Sequence, residues 1–272
     1  MRLDLHIHTR ASDGAWSPEQ VVRGARLGGL DVIAIADHDT VAAVRPAREA
    51  AGQMDVQVIP ALEASSTWRN REIHILGYFV DLDAPGLVGH TRRASELREA
   101  RMREMLAKLH EQGIEVPFED VERAAGAHRV NLGRPHLARA LVSLGYASSV
   151  SEAFTTLIGD DRPAFVPTRL VAPEEAVALI LESGGIPVWA HPPGDVMDAL
   201  LPRLVQAGLR GLEVYRPSHD RNDVLRLEAV CRSTGLLCSG GSDWHTPESG
   251  AALGDFHVTA DEVEGLLEAG GI

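Results

Sequence analysis

Lysine is nearly absent from this chain of 272 residues: Lys108 is the only one, so arginine supplies almost all of the 26 basic side chains. No GxxxxGK[ST] loop of the kind that cradles nucleotide phosphates occurs. Cysteine is equally scarce. Cys231 and Cys238 form no CxxC pair and no disulfide framework. Aromatic residues make up 4%. Basic residues are also outnumbered by 39 acidic ones, and the net charge of −13 argues against a nonspecific grip on long nucleic-acid duplexes. A small anionic substrate held by local cations remains compatible with it. No apolar run approaches the ~20 residues that span a bilayer. A charged, strand-like LDLHIH begins at Leu3, where a secretory leader would have its apolar stretch. The expectation is a cytoplasmic α/β protein with no membrane partner, monomeric or weakly oligomeric.

Short apolar runs alternate with amphipathic stretches, the pattern of β-α units in a parallel sheet or barrel. The predicted strands are Leu3–His8, Val32–Ala36, Val56–Pro60, Ile73–Phe79, Ile186–Ala190, Gly211–Tyr215 and Leu236–Ser239, with a last one in Gly254–Val258. Ser17-Pro18-Glu19-Gln20 reads as a capping box opening a helix that stops at Gly28-Gly29. Pro173–Ser183 reads as another helix, and Thr259-Ala260-Asp261-Glu262 opens the last. Between residues 92 and 165 the rhythm changes to helices without strands. Met102, Met105, Leu106 and Leu109 share one helical face, Gly113 ends that helix, and further helices run from Arg134 to Leu144 and from Ser151 to Leu157. We read 92–165 as a helical insertion capping a barrel made of 1–91 and 166–272. The alternative is that it belongs to the barrel's outer layer.

Polar residues follow the strands. His6 and His8 alternate along the first strand and so share a face. Asp13 lies just beyond that strand, and His38, Glu63, His74, His191, Asp243 and His245 lie within or just beyond later ones. Barrels of parallel strands gather their chemistry at the carboxyl ends, so these residues should converge. A lone HxH would be a surface pair. This many imidazoles and carboxylates buried unpaired would be costly, and together they suit zinc, manganese or iron. Asp37 is expected to support neighbouring ligands, and Asp39 to cap a helix starting near Thr40. His90, His110 and His128 have no such setting and are expected at the surface. His257 is expected in the core or behind the ligands, and the cysteines in the core.

In order, HIHTxxSDG, ADHDT, the Glu63 region, HILGY, AHP and GSDWH resemble the PHP (polymerase and histidinol phosphatase) family along essentially the whole chain. Gly133–Leu141 (GRPHLARAL) and Arg162–Pro167 (RPAFVP) are similar to its TrpH-like branch of stand-alone phosphoesterases. The resemblance implies a distorted (βα)7 barrel with a helical insertion and three divalent ions, manganese first, with iron(II) or zinc as the other choices. It implies one ion on His6, His8, Glu63 and Asp243, a second on Glu63, His74 and His191, and a third on Asp13, His38 and His245. Arg216-Pro217-Ser218-His219 departs from the His-Pro-x-His that relatives more often show.

The branch is similar to enzymes that remove the 3′-phosphate of 3′,5′-bisphosphorylated nucleotides and to 5′-to-3′ exoribonucleases acting on short RNA. The expected reaction is phosphomonoester hydrolysis by a hydroxide bridging the two Glu63-linked ions. Glu63 and Asp243 would hold the catalytic ions, and His219 would contact the phosphate or the leaving group. Arg134, His136 and Arg162 would bind substrate, since a forked guanidinium suits phosphate. A histidinol-phosphate-type phosphatase is the first alternative. An amidohydrolase acting on C–N bonds is less favoured, because its bridging lysine would have to be Lys108, on a cap helix. A non-catalytic metal-binding module is the third.

Overall fold

The structure is a computed structural model that describes residues 1–126 and 129–272. His128 lies outside them. In chain order the elements are β1 (Arg2–Ile7), α1 (Pro18–Leu27), β2 (Val32–Ile35), α2 (Val44–Ala51), β3 (Gln57–Trp68) and β4 (Arg71–Tyr78). The helical stretch follows: α3 (Pro85–Glu111), α4 (Phe118–Ala125), α5 (Arg134–Ser143), α6 (Val150–Ala153) and a π-turn at Phe154–Ile158. The chain then continues with α7 (Pro173–Glu182), β5 (Ile186–Trp189), α8 (Gly194–Ala207), β6 (Gly211–Tyr215), α9 (Arg221–Thr234) and β7 (Leu237–Gly240). It closes with β8 (Val258–Thr259), a 3-10 turn at Asp261–Val263 and α10 (Glu264–Gly270).

The strands form one sheet in the order β7-β6-β5-β4-β3-β2-β1-β8, curled into a nearly closed barrel. Closure comes from the segment after β7. Ile7 and Trp244 form a parallel bridge, and the His8 amide donates to the Trp244 carbonyl at 2.9 Å. At one end an apolar cluster gathers Leu3, Leu5, Ala34, Leu76, Tyr78 and Val188, with the Tyr78 hydroxyl donating to the Leu5 carbonyl and bonded to Ser239 Oγ. Two further apolar layers lie between strands and surrounding helices. Helix α1 starts as its sequence dictates: Ser17 Oγ accepts from the Gln20 amide at 3.3 Å and Gln20 Oε1 from the Ser17 amide at 2.9 Å. Such a cap contributes about 1 kcal/mol.

Several expectations need correction. The barrel is not wholly parallel, because β4 runs antiparallel to both β3 and β5, and β8 to β1. The third strand runs on through Glu63 to Trp68, twelve residues in all, and turns directly into β4. The polar ASST run hid this extension, since backbone pairing with β4 rather than an apolar pattern holds it. The reversal matters for chemistry: His74 lies near the start of β4, which is the end of the barrel where parallel strands finish. Helix α3 begins at Pro85, ahead of the expected boundary at 92, and spans 27 residues. The predicted Ser151–Leu157 helix is the short α6 followed by the π-turn. The last strand is confined to Val258–Thr259, and His257 lies just before it, 3.4 Å from an Arg2 nitrogen.

Candidate metal centre

The carboxyl-end face of the barrel brings together His6, His8, Asp13, His38, Glu63, His74, His191, Asp243 and His245. Glu63 lies at the middle, fully buried, and its two oxygens face different neighbours. Oε2 is 3.4 Å from His6 Nε2 and 3.3 Å from His8 Nε2, and Asp243 Oδ1 stands at 3.4 and 3.3 Å from the same two nitrogens. Oε1 is 3.0 Å from His74 Nδ1 and 2.9 Å from His191 Nε2. To one side, Asp13 Oδ1 is 3.4 Å from His245 Nε2, and Asp13 Oδ2 is 3.8 Å from His38 Nε2. His38 also presents Nδ1 to Glu63 Oε2 at 3.1 Å.

Two imidazole nitrogens facing each other do not make a hydrogen bond unless one is protonated. His6 Nε2 and His8 Nε2 are 3.1 Å apart. Because Glu213 Oε1 accepts from His6 Nδ1 at 2.7 Å, the His6 lone pair is left pointing at the cluster. His74 Nε2 and Asp13 Oδ1 are buried with no hydrogen-bond partner. The charge balance tells the same story. Burial alone would push the His8 ring down, yet hydrogen bonds to Asp243 and Glu63 hold it up at about 10. Burial would raise the carboxyls of Glu63, Asp13 and Asp243, but the surrounding imidazoles hold each well below the usual carboxylate range. Burial pushes His38 down to about 4, so it stays neutral and able to ligate. Converging carboxylates and lone pairs that require positive charge fit divalent cations bound by nitrogen and oxygen.

The local chain is built to hold these groups. Asp37 accepts from the Thr9 amide at 2.8 Å, Thr9 Oγ1 at 2.7 Å and Ser12 Oγ at 2.5 Å, which fixes the loop that carries Asp13. A Cβ on Gly14 would meet the His8 carbonyl oxygen at 2.6 Å, and one on Gly241 would meet the His6 amide at 2.4 Å. Both positions therefore require glycine for close approach. His191 and Asp243 hold positive φ angles of 30° and 56°, a strained backbone that surrounding contacts must over-determine. For Asp243 the clamp is Asp4, whose carboxylate takes the Ser242 amide at 2.8 Å and Ser242 Oγ at 2.6 Å. Burial raises the Asp4 carboxyl to about 6 against those hydrogen bonds.

Sequence reasoning missed Asp4, Glu213 and Arg216. Glu213, fully buried on β6, holds His6 Nδ1, the His191 amide at 2.7 Å and Arg216 Nη1 at 2.9 Å. Arg216 Nη2 reaches Asp243 Oδ2 at 3.1 Å. Two expectations about other residues are overturned. Asp39 does not cap a helix, since α2 begins only at Val44. Asp39 is buried at φ 56°, accepts from the Ser65 amide at 2.8 Å and pairs with Arg98 at 2.6 and 3.0 Å. His90 is not at the surface. It is 5% exposed, with Nε2 2.9 Å from Asp39 Oδ1. His110 is exposed beside Glu115. Cys231 is buried and Cys238 half-buried, and neither joins the groups of potential metal ligands among the described residues.

Two hollows open at the cluster. One, of about 400 Å³, is lined by His38, Glu63, His74, His191, Arg216, Asp243 and His245. A second, of about 160 Å³, is bordered by Asp13, His38 and His74 on the barrel side and by Arg98, Arg101, Arg134 and Phe154 from the helical stretch. Arg134 pairs with Asp160 at 2.6 Å and lies 3.7 Å from Glu72. Arg101 Nε donates to the Val166 carbonyl, and its buried Nη2 has no partner. Burial, with the neighbouring Arg134 and Arg98 charges, pushes Arg101 down to about 10 despite Glu72. His136 borders neither hollow. Its Nδ1 accepts the Gly133 amide at 2.9 Å and so helps start α5. Burial pushes the ring down to about 4. Arg162 is exposed away from both hollows, and His219 donates from Nδ1 to the Val214 carbonyl at 2.8 Å.

Comparison with known proteins gives this cluster a family. The PHP domain matches residues 4–115. The 5′-3′ exoribonuclease Rnm of Escherichia coli is 36% identical, over 97% of this chain and 92% of its own length. Phosphoribosyl 1,2-cyclic phosphate 1,2-diphosphodiesterase of Eggerthella lenta is 36% identical over 89% of this chain and 93% of its own. The 3′,5′-nucleoside bisphosphate phosphatase of Chromobacterium violaceum is 32% identical over 91% and 88%. A solved structure from Bifidobacterium adolescentis, assigned as a metal-dependent phosphoesterase, superposes with a TM-score of 0.88 at 29% identity, covering 98% of this chain and 96% of its own. On this similarity over nearly its full length, the chain belongs to the PHP-domain family.

Proposed function

We propose that this chain is a metal-dependent phosphoesterase that removes the 3′-phosphate of 3′,5′-bisphosphorylated nucleotides and also shortens 5′-phosphorylated RNA from its 5′ end. The observation that carries the reading is Glu63, whose two oxygens face separate sets of imidazoles at 2.9–3.4 Å. One ion is assigned to His6, His8, Glu63 and Asp243, a second to Glu63, His74 and His191, and a third to Asp13, His38 and His245. Manganese is the first choice and iron(II) or zinc the others. When bound, such ions supply Lewis acidity at the phosphoryl group and a water ionised near neutral pH. The chain's own residues do the rest. Glu213 fixes the tautomer of His6, the buried floor of His6, His8 and Glu63 keeps bulk water from the deep side, and the half-open rim admits the ester.

The second hollow supports the choice of substrate. We assign residues 92–165, together with the start of α3, to a cap whose own apolar cluster centres on Met102, Met105, Leu109, Leu137 and Leu141. Its arginines at 98, 101 and 134 lie beside His38 and His74, where a second phosphate on the substrate would find forked donors. His136 and Arg162 stand outside both hollows and are not assigned to the substrate, and His219 is left as a contact for the leaving group beyond β6. The relatives' names fit small phosphorylated substrates of this kind. The amidohydrolase alternative lacks its lysine: Lys108 Nζ is spent on the Phe165 carbonyl at 2.8 Å, on the cap.

The test is phosphate release from adenosine 3′,5′-bisphosphate with added Mn²⁺, beside AMP, histidinol phosphate and a short 5′-phosphorylated RNA. Preference for the bisphosphate, or stepwise shortening of the RNA from its 5′ end, is expected. Turnover of histidinol phosphate that equals or exceeds these would keep the metal chemistry and overturn the substrate assignment.

A further inference from the structure

Among the described residues, every one that lines the larger hollow is a candidate metal ligand except Arg216. It is therefore the one side chain there whose donors are not committed to a cation. Arg216 follows β6 directly, and its guanidinium is held at two points: Nη1 on Glu213 Oε2 at 2.9 Å and Nη2 on Asp243 Oδ2 at 3.1 Å. Nε is buried and has no partner. A guanidinium carries five N–H donors in a rigid fork, so these two bonds leave donors over. Nε and Nη2 share one edge of that fork, the edge that meets Asp243. The spare N–H thus lies beside a carboxylate whose other oxygen faces His6 and His8.

The group is also pre-organised. Its side chain is 12% exposed, and Glu213 ties it to the same frame that holds His6 and the His191 amide. A permanent charge fixed in place before the substrate arrives loses little on binding, and acts most strongly where water is excluded. Its two carboxylate partners do not neutralise it for a ligand, because Glu213 is already shared with His6 and Asp243 is shared with the metal-facing imidazoles.

We propose that Arg216 contacts the phosphoryl group undergoing hydrolysis and makes the site favour a doubly charged phosphomonoester over the singly charged phosphodiester that it also cleaves when it shortens RNA. The inference rests on the phosphoesterase reading above for its kinetic part. Its binding part stands alone.

The experiment compares wild type with Arg216→Gln and Arg216→Lys, each loaded with Mn²⁺. Three quantities are read: bound manganese by mass spectrometry, affinity for inorganic phosphate by calorimetry, and kcat/KM for 4-nitrophenyl phosphate and bis(4-nitrophenyl) phosphate. For Arg216→Gln the manganese content is unchanged and phosphate binds about 10-fold more weakly, the scale of one lost charged hydrogen bond. Monoester kcat/KM falls about 100-fold, the scale of one lost charge-stabilising donor, and the diester falls by less than about 5-fold. Arg216→Lys recovers part of the monoester loss. Unchanged phosphate affinity overturns the proposal. So does a fall in manganese content with equal losses on both esters, which would mean that Arg216 only holds Asp243. If wild type hydrolyses neither ester while phosphate binding still depends on Arg216, the phosphoesterase reading fails and the anion contact stands. If wild type binds no phosphate, both fail.

Discussion

Glu213 shows how a residue behind the cluster sets the direction of its imidazoles. It fixes His6 through Nδ1 and His191 through its backbone, both at 2.7 Å. Removing it frees the His6 ring to turn its lone pair away. Replacing such a partner typically weakens metal binding 10–100-fold, so Glu213→Ala should raise the Mn²⁺ dissociation constant by about that factor. Metal titration followed by calorimetry checks it, and an unchanged constant would remove Glu213 from the account. The convergence itself was legible, because His6 and His8 alternate on an apolar strand and His38, His191 and Asp243 follow others. Asp4 was not legible by alternation, because β1 slips register between Asp4 and Ile7, and its carboxylate instead accepts the His6 and Ser242 amides. Glu213 gave the fainter signal of one carboxylate enclosed by the apolar GLEVY run. Arg216 was marked only as the start of the Arg-Pro-Ser-His segment that departs from the family's His-Pro-x-His, and nothing local gave it a role at the site.

Among the elements, α3 carries the helical stretch against the site. His90, Ala94, Arg98, Arg101, Met102, Met105 and Leu109 are buried along it. This stripe was half-read in the sequence. The methionines gave the helical face, but that face does not announce that the helix runs back through His90 to Pro85, and charged side chains at 98 and 101 do not look like core. Their partners are far away in sequence, Asp39 beyond β2 and Ser65 on β3 for Arg98 and the Val166 carbonyl for Arg101, and only the fold supplies them. Arg98 closes on Asp39 at 2.6 Å and on Ser65 Oγ at 2.7 Å. Breaking a buried pair leaves a bare charge, so Arg98→Ala should cost about 3–5 kcal/mol in denaturant unfolding. The paired change Arg98→Met with Asp39→Asn should cost much less, and equal losses would show that the pair contributes no more than packing. The β3–β4 hairpin was illegible for a different reason. Its length is set by backbone pairing from Ala61–Tyr78 to Trp68–Arg71, and the solvent-tolerant ASST run carries no periodicity to announce it.

At the scale of the whole molecule, the barrel closes around charges that it cannot balance alone, and stability should therefore depend on metal and pH together. In the metal-free protein His8 is raised from 6.5 to about 10. A group raised on folding adds stability that is fully present below its unfolded value and is lost as pH rises through the folded one. The metal-free protein should thus lose stability between pH 6.5 and about 10. Bound cations need the same nitrogens unprotonated, so their stabilisation should grow over that window. At a free Mn²⁺ concentration about 100-fold above the dissociation constant the gain is about 2.7 kcal/mol. Thermal unfolding across the window, with Mn²⁺ and with chelator, should give two diverging curves. Parallel curves would mean that the imidazoles do not serve the cation.

The account turns on Glu63 joining two ion positions through its two oxygens. The most direct measurement is the manganese content of wild type and Glu63→Ala after loading and desalting, read by mass spectrometry on protein shown to be folded by circular dichroism. The account predicts about three ions per chain in wild type and the loss of about two in the variant, as expected for a bridging ligand of a paired site. A variant that keeps its full complement, or loses only one ion, would contradict it.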